Sequence, residues 1–202
     1  IANKLRDEWT PEKLAKQKGC DNFFNPLNAD GTGKLLRNDI PKRLQEYVDN
    51  ADSFFERGVL DQHYTYSYLY GIQETIKNNR ATASNINWDG VMGLCAAIKQ
   101  SGDKNLFERE KRERNSFNTW LVGWDGVHST MTDVLQELLT ERDGSVLIDF
   151  SIYRDRIFAI LGYLLSYPDP SPADEQIETA TRKTKSSGDG DYMVKDPLHM
   201  AI

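Results

Sequence analysis

Cysteine is almost missing from this chain. Only Cys20 and Cys95 stand among 202 residues, far below the density at which small extracellular folds replace part of a core with disulfides. A reduced, cytoplasmic setting is therefore expected, with Cys95, on the apolar side of a helical pattern, acting as a small buried hydrophobe. Histidine is equally scarce. His63, His128 and His199 are scattered, and none has a second histidine or cysteine at metal-ligand spacing, so neither a metal nor another cofactor is expected. Long apolar runs are lacking too: the run over residues 157–165 carries Gly162 and Tyr163 and is about half the roughly 18 residues a membrane span requires. Positive charge is not in excess. Lys and Arg number 25 against 31 Asp and Glu, a net of −6, the wrong sign for a surface devoted to a phosphate backbone. Neither a membrane nor nucleic acid is an expected partner.

Catalytic patterns are lacking as well. There is no G-x-S-x-G nucleophile elbow, and no catalytic residue is assigned. The segment Asp30-Gly31-Thr32-Gly33-Lys34 invites comparison with a phosphate-binding loop, whose first glycine would then fall on Asn28 and whose final hydroxyl on Leu35. As a calcium loop it would place its first ligand on Pro26 and its bidentate acid on Arg37. Both readings fail. Residues 104–114, with Asp103 just before them, hold the densest charge, five cations against four anions, a mixture that suits a solvated helix face laced by pairs three or four apart.

What is present is helical periodicity. Thr10-Pro11-Glu12 reads as a cap, a first-turn proline and an acidic first turn, which predicts a helix over 11–18 closed by Gly19. Residues 20–38, with Pro26, Gly31 and Gly33, read as a connecting loop. From Asp39 as cap, Ile40, Leu44, Tyr47, Val48, Ala51, Phe54 and Phe55 follow the spacing of one helix face as far as Gly58. Asp61 caps a third helix, with Leu69, Ile72 and Ile76 on one side. Within it Tyr64, Tyr66, Tyr68 and Tyr70 alternate with the period of a strand. Helix is preferred there, because the flanking signals are helical and no partner strand is evident. Further helices are predicted over 88–100, over 124–142 with Gly144 beyond, and over 152–166, the last with an apolar face broad enough for burial on two sides.

Two helices open alike, at Trp88-Asp89-Gly90-Val91 and Trp124-Asp125-Gly126-Val127, 36 residues apart. That period suits paired helices, since helical-hairpin repeats recur at about 34 to 47 residues. The expected fold is all-α, with antiparallel hairpins stacked as a short helical-repeat array. The expected division is a repeat domain over 1–167, a flexible linker over 168–195, where Pro, Ser, Thr, Gly and charge dominate, and the start of a further helix over 196–202, capped by Asp196-Pro197. A chain opening on Ile1-Ala2-Asn3-Lys4 reads as a piece of a longer protein.

Residues 153–165, Tyr-Arg-Asp-Arg-Ile-Phe-Ala-Ile-Leu-Gly-Tyr-Leu-Leu, resemble the second helix of a HEAT-type repeat. The following Tyr167-Pro168-Asp169-Pro170-Ser171-Pro172, with Asp196-Pro197-Leu198 later, is similar to a stretch in large prokaryotic proteins that join a nucleotide-switch domain to a helical-repeat arm, some of them STAND-type defence NTPases. The resemblance implies a sensor or scaffold arm, and none of these residues belongs to the nucleotide-binding part.

The candidate binding residues are His63, Tyr64, Tyr66 and Tyr68. Tyrosines at successive alternate positions cannot all face the core of a helix, so one or two should reach the surface, where tyrosine suits protein interfaces. The remainder would pack against a neighbouring repeat. The expected function is a non-catalytic protein-recognition or scaffold surface, for a protein partner or other domains of the same parent chain. Two alternatives stand beside it: an enzyme whose site assembles from distant residues, and a helical domain that contacts nucleic acid through residues 104–114 and 182–185.

Overall fold

The computed structural model describes residues 1–16, 28–55, 60–103, 121–142 and 144–166. Within them the chain forms helices α1 (Ala2–Asp7), α2 (Pro11–Lys16), α3 (Ala29–Asp39), α4 (Leu44–Asp49), α5 (Gln62–Asn78), α6 (Arg80–Ala83), α7 (Asp89–Asp103), α8 (Trp124–Leu139) and α9 (Phe150–Leu165). Tight 3₁₀ turns, Ile40–Lys42 and Ala51–Phe54, flank α4. No strand occurs among the described residues, only an isolated bridge between Arg142 and Ser145. The chain is all-α. No described helix is long and apolar enough to cross a membrane. Gly19, Cys20, Gly58, the charge run 104–114, His199, the linker 168–195 and the residues 196–202 lie outside the described residues.

Side-chain caps explain several of the starts. Asp61 accepts a hydrogen bond from the His63 backbone N–H at 2.9 Å and opens α5; Asp149 accepts from the Ser151 N–H at 2.8 Å and opens α9 two residues before its predicted start. Each satisfies a donor that the first turn leaves without a helical partner. The alternating tyrosines are helical, as the flanking signals implied.

Three expectations need correction. Residues 29–39 are helix α3, not loop, because Asn28 caps them, accepting from the Gly31 N–H at 2.7 Å. Of the glycines that suggest a loop, Gly33 serves packing instead. A Cβ on Gly33 would lie 2.5 Å from Ser67 Oγ, and one on Gly71 would lie 2.5 Å from Ile40 Cδ1, so the two glycines let α3 and α5 cross closely. The single helix expected from Ile40 is broken into turn, helix and turn, with Arg43 and Asn50 at non-helical angles. Pro41 in the first turn lacks an N–H to continue the α3 ladder. Its periodic residues are nonetheless all buried, so the spacing marked the right face on a backbone that is not one helix. Third, α9 is buried on one side only: Tyr153, Ile157, Ile160, Tyr163 and Leu164 face inward, while Phe150, Ile152, Phe158 and Leu165 are exposed.

At the centre lies α5, packed against α3 on one side and α8 on another; α7 meets α4, the Ala51–Phe54 turn and α9, and α8 also meets α9. Phe54 stacks on Tyr68 at 4.4 Å between ring centres, with Tyr47 beside both. Helix α8 stops at Leu139, three residues short of the predicted end. Its last carbonyls are taken by the Arg80 guanidinium, which donates to Glu137 O at 3.1 Å, Thr140 O at 2.5 Å and, past the turn at Gly144, Ser145 O at 3.2 Å. Both Trp-Asp-Gly-Val segments open helices, in different settings: Trp88 is buried just before α7, whereas Trp124 is the partly exposed first residue of α8.

Candidate functional site

Three of the four residues proposed for binding are interior. Tyr64 is fully buried, and its hydroxyl donates to the Trp9 carbonyl, tying α5 to the link between α1 and α2. Tyr68, also fully buried, donates to the Tyr47 carbonyl at 3.0 Å. Burial pushes both hydroxyls above the usual tyrosine range. His63 is buried too, and its Nδ1 accepts from the Val122 N–H at 3.2 Å, just before α8. These side chains join α5 to three other parts of the chain. They form no surface patch.

Tyr66 and Tyr70 are the ones that reach the outside, partly exposed and 5.7 Å apart between ring centres. Over their faces lies the Arg37 guanidinium of α3, 5.9 Å from the Tyr66 ring centre and 5.4 Å from that of Tyr70, an arrangement in which a cation meets the negative face of each ring. Asp30 holds the basic side chains of α3 from the turn before, 2.7 Å from Lys34 Nζ and 3.8 Å from Arg37.

Beside this stack, between α3 and α5, lies an open groove of about 470 Å³. Lys34, Arg37 and Asn38 form one wall, Tyr70, Glu74 and Asn78 the other. The volume falls within the ~300–1,000 Å³ of typical ligand sites. Lys34 and Arg37 face Glu74 across it, and of the two cations Arg37 is the more loosely held by Asp30.

Elsewhere the chemistry is sealed. His128 and Tyr163 approach to 2.8 Å between Nε2 and the hydroxyl, at the α8/α9 contact, with the Trp124 ring tilted alongside at 6.4 Å. Burial pushes the His128 imidazole down to about 4, so it is neutral at physiological pH. The Cys95 thiol is wholly buried and raised to about 12, the opposite of a reactive cysteine. Among the described residues no cluster of three or more His, Cys, Asp and Glu could hold a metal ion.

The outer side of α9 forms a second surface. At ~100° per residue, Phe150, Phe158, Leu161 and Leu165 fall within about 80° of one another, and the exposures of Phe150, Phe158 and Leu165 are 44%, 59% and 65%. Phe150 meets Phe158 edge to face at 6.0 Å. Ile152 is exposed on a different face.

Lys34 and Arg37 carry no binding signal in a segment whose glycines and Pro26 read as a loop. The signals that could have found them are Asn28 as a cap, Asp30 in the first turn and the Asp30/Lys34 pair four apart. Comparison with known proteins adds no relative, since no family model, curated protein or solved structure matches the chain.

Proposed function

We propose that this helical chain is a non-catalytic recognition or scaffold segment of a larger cytoplasmic protein, one that presents its surface to a protein partner or to other domains of the same parent. The observation that carries the reading is the outer side of α9, where large apolar side chains cluster in water. A cluster of that kind costs solubility unless something covers it, and contiguous exposed apolar patches mark interaction sites. In a helical-repeat array each repeat buries its core against the next, so the same face suits the repeat arrangement, as does the 36-residue spacing of the two Trp-Asp-Gly-Val segments, although their tryptophans pack differently. The kinship with the helical arm of large prokaryotic switch NTPases belongs to this proposal too.

The test uses the double variant Phe158→Glu with Leu165→Glu in the intact parent. Both positions are exposed, so the thermal midpoint of the isolated chain should stay within the few tenths of a kcal/mol typical of surface changes, about 1–2 °C. The parent should lose the proteins that copurify with it. A variant that keeps the complete partner set and activity of the parent overturns the reading.

A further inference from the structure

We propose that the groove between α3 and α5 binds an extended peptide segment through an acidic side chain, with Arg37 as the residue that takes the carboxylate. This rests on the recognition reading above and assigns part of it to a second surface, away from α9.

The first support is the state of Arg37. Its guanidinium lies over Tyr66 and Tyr70, its side chain is 19% exposed, and its ion pair to Asp30 is long at 3.8 Å. A guanidinium stacked on two rings has already lost most of its rotamer freedom, so forming a forked pair with a carboxylate costs little further ordering. Lys34 on the same wall is already paired with Asp30 at 2.7 Å, and Glu74 across the groove is the one acid that lines it among the described residues, so the loosely paired Arg37 is the cation a ligand would meet. A single guanidinium suits one carboxylate and is too small a charge for a run of phosphates.

The second support is the amide lining. Asn38, Asn78 and Asn79 all border the groove. Each side chain carries a carbonyl acceptor and two N–H donors, the complement of a peptide unit's donor and acceptor. Two have partners that set their direction. Asn79 uses Oδ1 to cap α6, accepting from the Thr82 N–H at 3.3 Å, which leaves its amino group as the donor end, and Asn78 donates to Glu74 at 3.3 Å. The third support is shape. The groove lies open to solvent between α3 and α5, which would enclose a compact small molecule poorly and leaves room for a chain laid across it.

The experiment follows the backbone amides of the full ¹⁵N-labelled chain by NMR while acetyl-(Ala-Glu)₃-amide is added to about 10 mM, a range in which even affinities weaker than 1 mM register. Parallel titrations use acetyl-(Ala-Gln)₃-amide, sodium acetate and inorganic phosphate. The acidic peptide should shift the amides of residues 34, 37, 38, 78 and 79, and the neutral peptide should do so at least about tenfold more weakly, the worth of a charge-assisted hydrogen bond. Arg37→Gln should weaken the acidic peptide by a similar factor. Asn78→Ala, at an exposed position that preserves the fold, should weaken it about threefold and keeps the test alive if Arg37→Gln unfolds the chain. Equal shifts from acetate or phosphate would reduce the groove to a simple anion site and overturn the proposal. So would equal binding of the neutral peptide, or no shift in the groove at the highest concentration. Each of these failures leaves the α9 test untouched, so a negative groove with a partner set lost on changing Phe158 and Leu165 refutes this inference alone.

Discussion

Lowering the pH from 7 to 4.5 should destabilise this protein through His128, by an amount the structure allows to be worked out. The side chain is 6% exposed and its Nε2 sits 2.8 Å from the Tyr163 hydroxyl. Burial lowers its pKa from 6.5 to about 4. The unfolded chain therefore takes up a proton near pH 6.5, while the folded chain refuses it until about pH 4. Unfolding binds the proton within that window, so the contribution of neutral His128 is complete above about pH 6.5 and is lost progressively as the pH falls. Integrating between pH 7 and 4.5 gives a loss of about 2 kcal/mol, a large part of a ~5–15 kcal/mol total. The control is His128→Phe, which keeps a ring in the α8/α9 contact and does not titrate. At pH 7 it should cost about 1 kcal/mol for the hydrogen bond to Tyr163. Urea unfolding of both proteins across the range supplies the measurement. Carboxylates held low by partners, such as Asp39 beside Arg43 and Tyr47, lose stability with acid in both proteins and cancel in the difference. The gap between wild type and variant should close and then invert as the pH falls. If the two lose stability in parallel, with less than about 1 kcal/mol separating their pH dependences, the argument from His128 is wrong.

Other outcomes follow from the packing. Arg80→Met keeps the stem but strands the Glu137, Thr140 and Ser145 carbonyls, and should cost about 2–3 kcal/mol in a denaturant titration; a loss below ~0.5 kcal/mol would show that water replaces the guanidinium freely. Glycine to alanine should act in opposite directions at two helical sites. At Gly93 an added Cβ meets nothing within 4 Å, so alanine should stabilise by roughly 0.5–1 kcal/mol, whereas at Gly33 the contacts with Ser67 and His63 at 2.5 and 2.8 Å should leave a net loss of about 1 kcal/mol or more. Equal signs in the two melting curves would contradict the close α3/α5 crossing. Tyr68→Phe, which deletes the buried bond to Tyr47, should cost about 1–1.5 kcal/mol, while Tyr66→Phe on the outer face should stay within ~0.5 kcal/mol.

The helices most readily legible were those whose apolar spacing and end signals agree locally. Asp61 and the Leu69, Ile72, Ile76 face mark α5 without reference to anything distant, and Trp124 with Val127, Met131, Val134 and Leu138 does the same for α8. Helix α3 was missed for a reason that lies outside its own residues. Gly31 and Gly33 lower its intrinsic helicity, and what makes a glycine useful at position 33 is α5 at contact distance, which no local pattern reports. The candidate site suffered from the same blindness. Alternation showed that some tyrosines had to leave the core, but which ones depends on where Trp9 and Tyr47 lie, 55 and 21 residues from their partners in the chain. Arg37, now the centre of the proposed groove, became visible only once α3 was a helix and its side chain lay over Tyr66 and Tyr70.

By itself the sequence determined what local energetics can determine: an all-α chain, several helix starts through their caps, and the buried faces through a 3.6-residue period that survives even where Pro41 breaks the helix. The tertiary structure decided which side chains are anchors and which are surface. It buried His63, Tyr64 and Tyr68, left Tyr66 and Tyr70 outside, and exposed the outer side of α9. The physical reason is that periodicity specifies a face relative to its own helix axis, whereas burial depends on what the rest of the chain brings against that face.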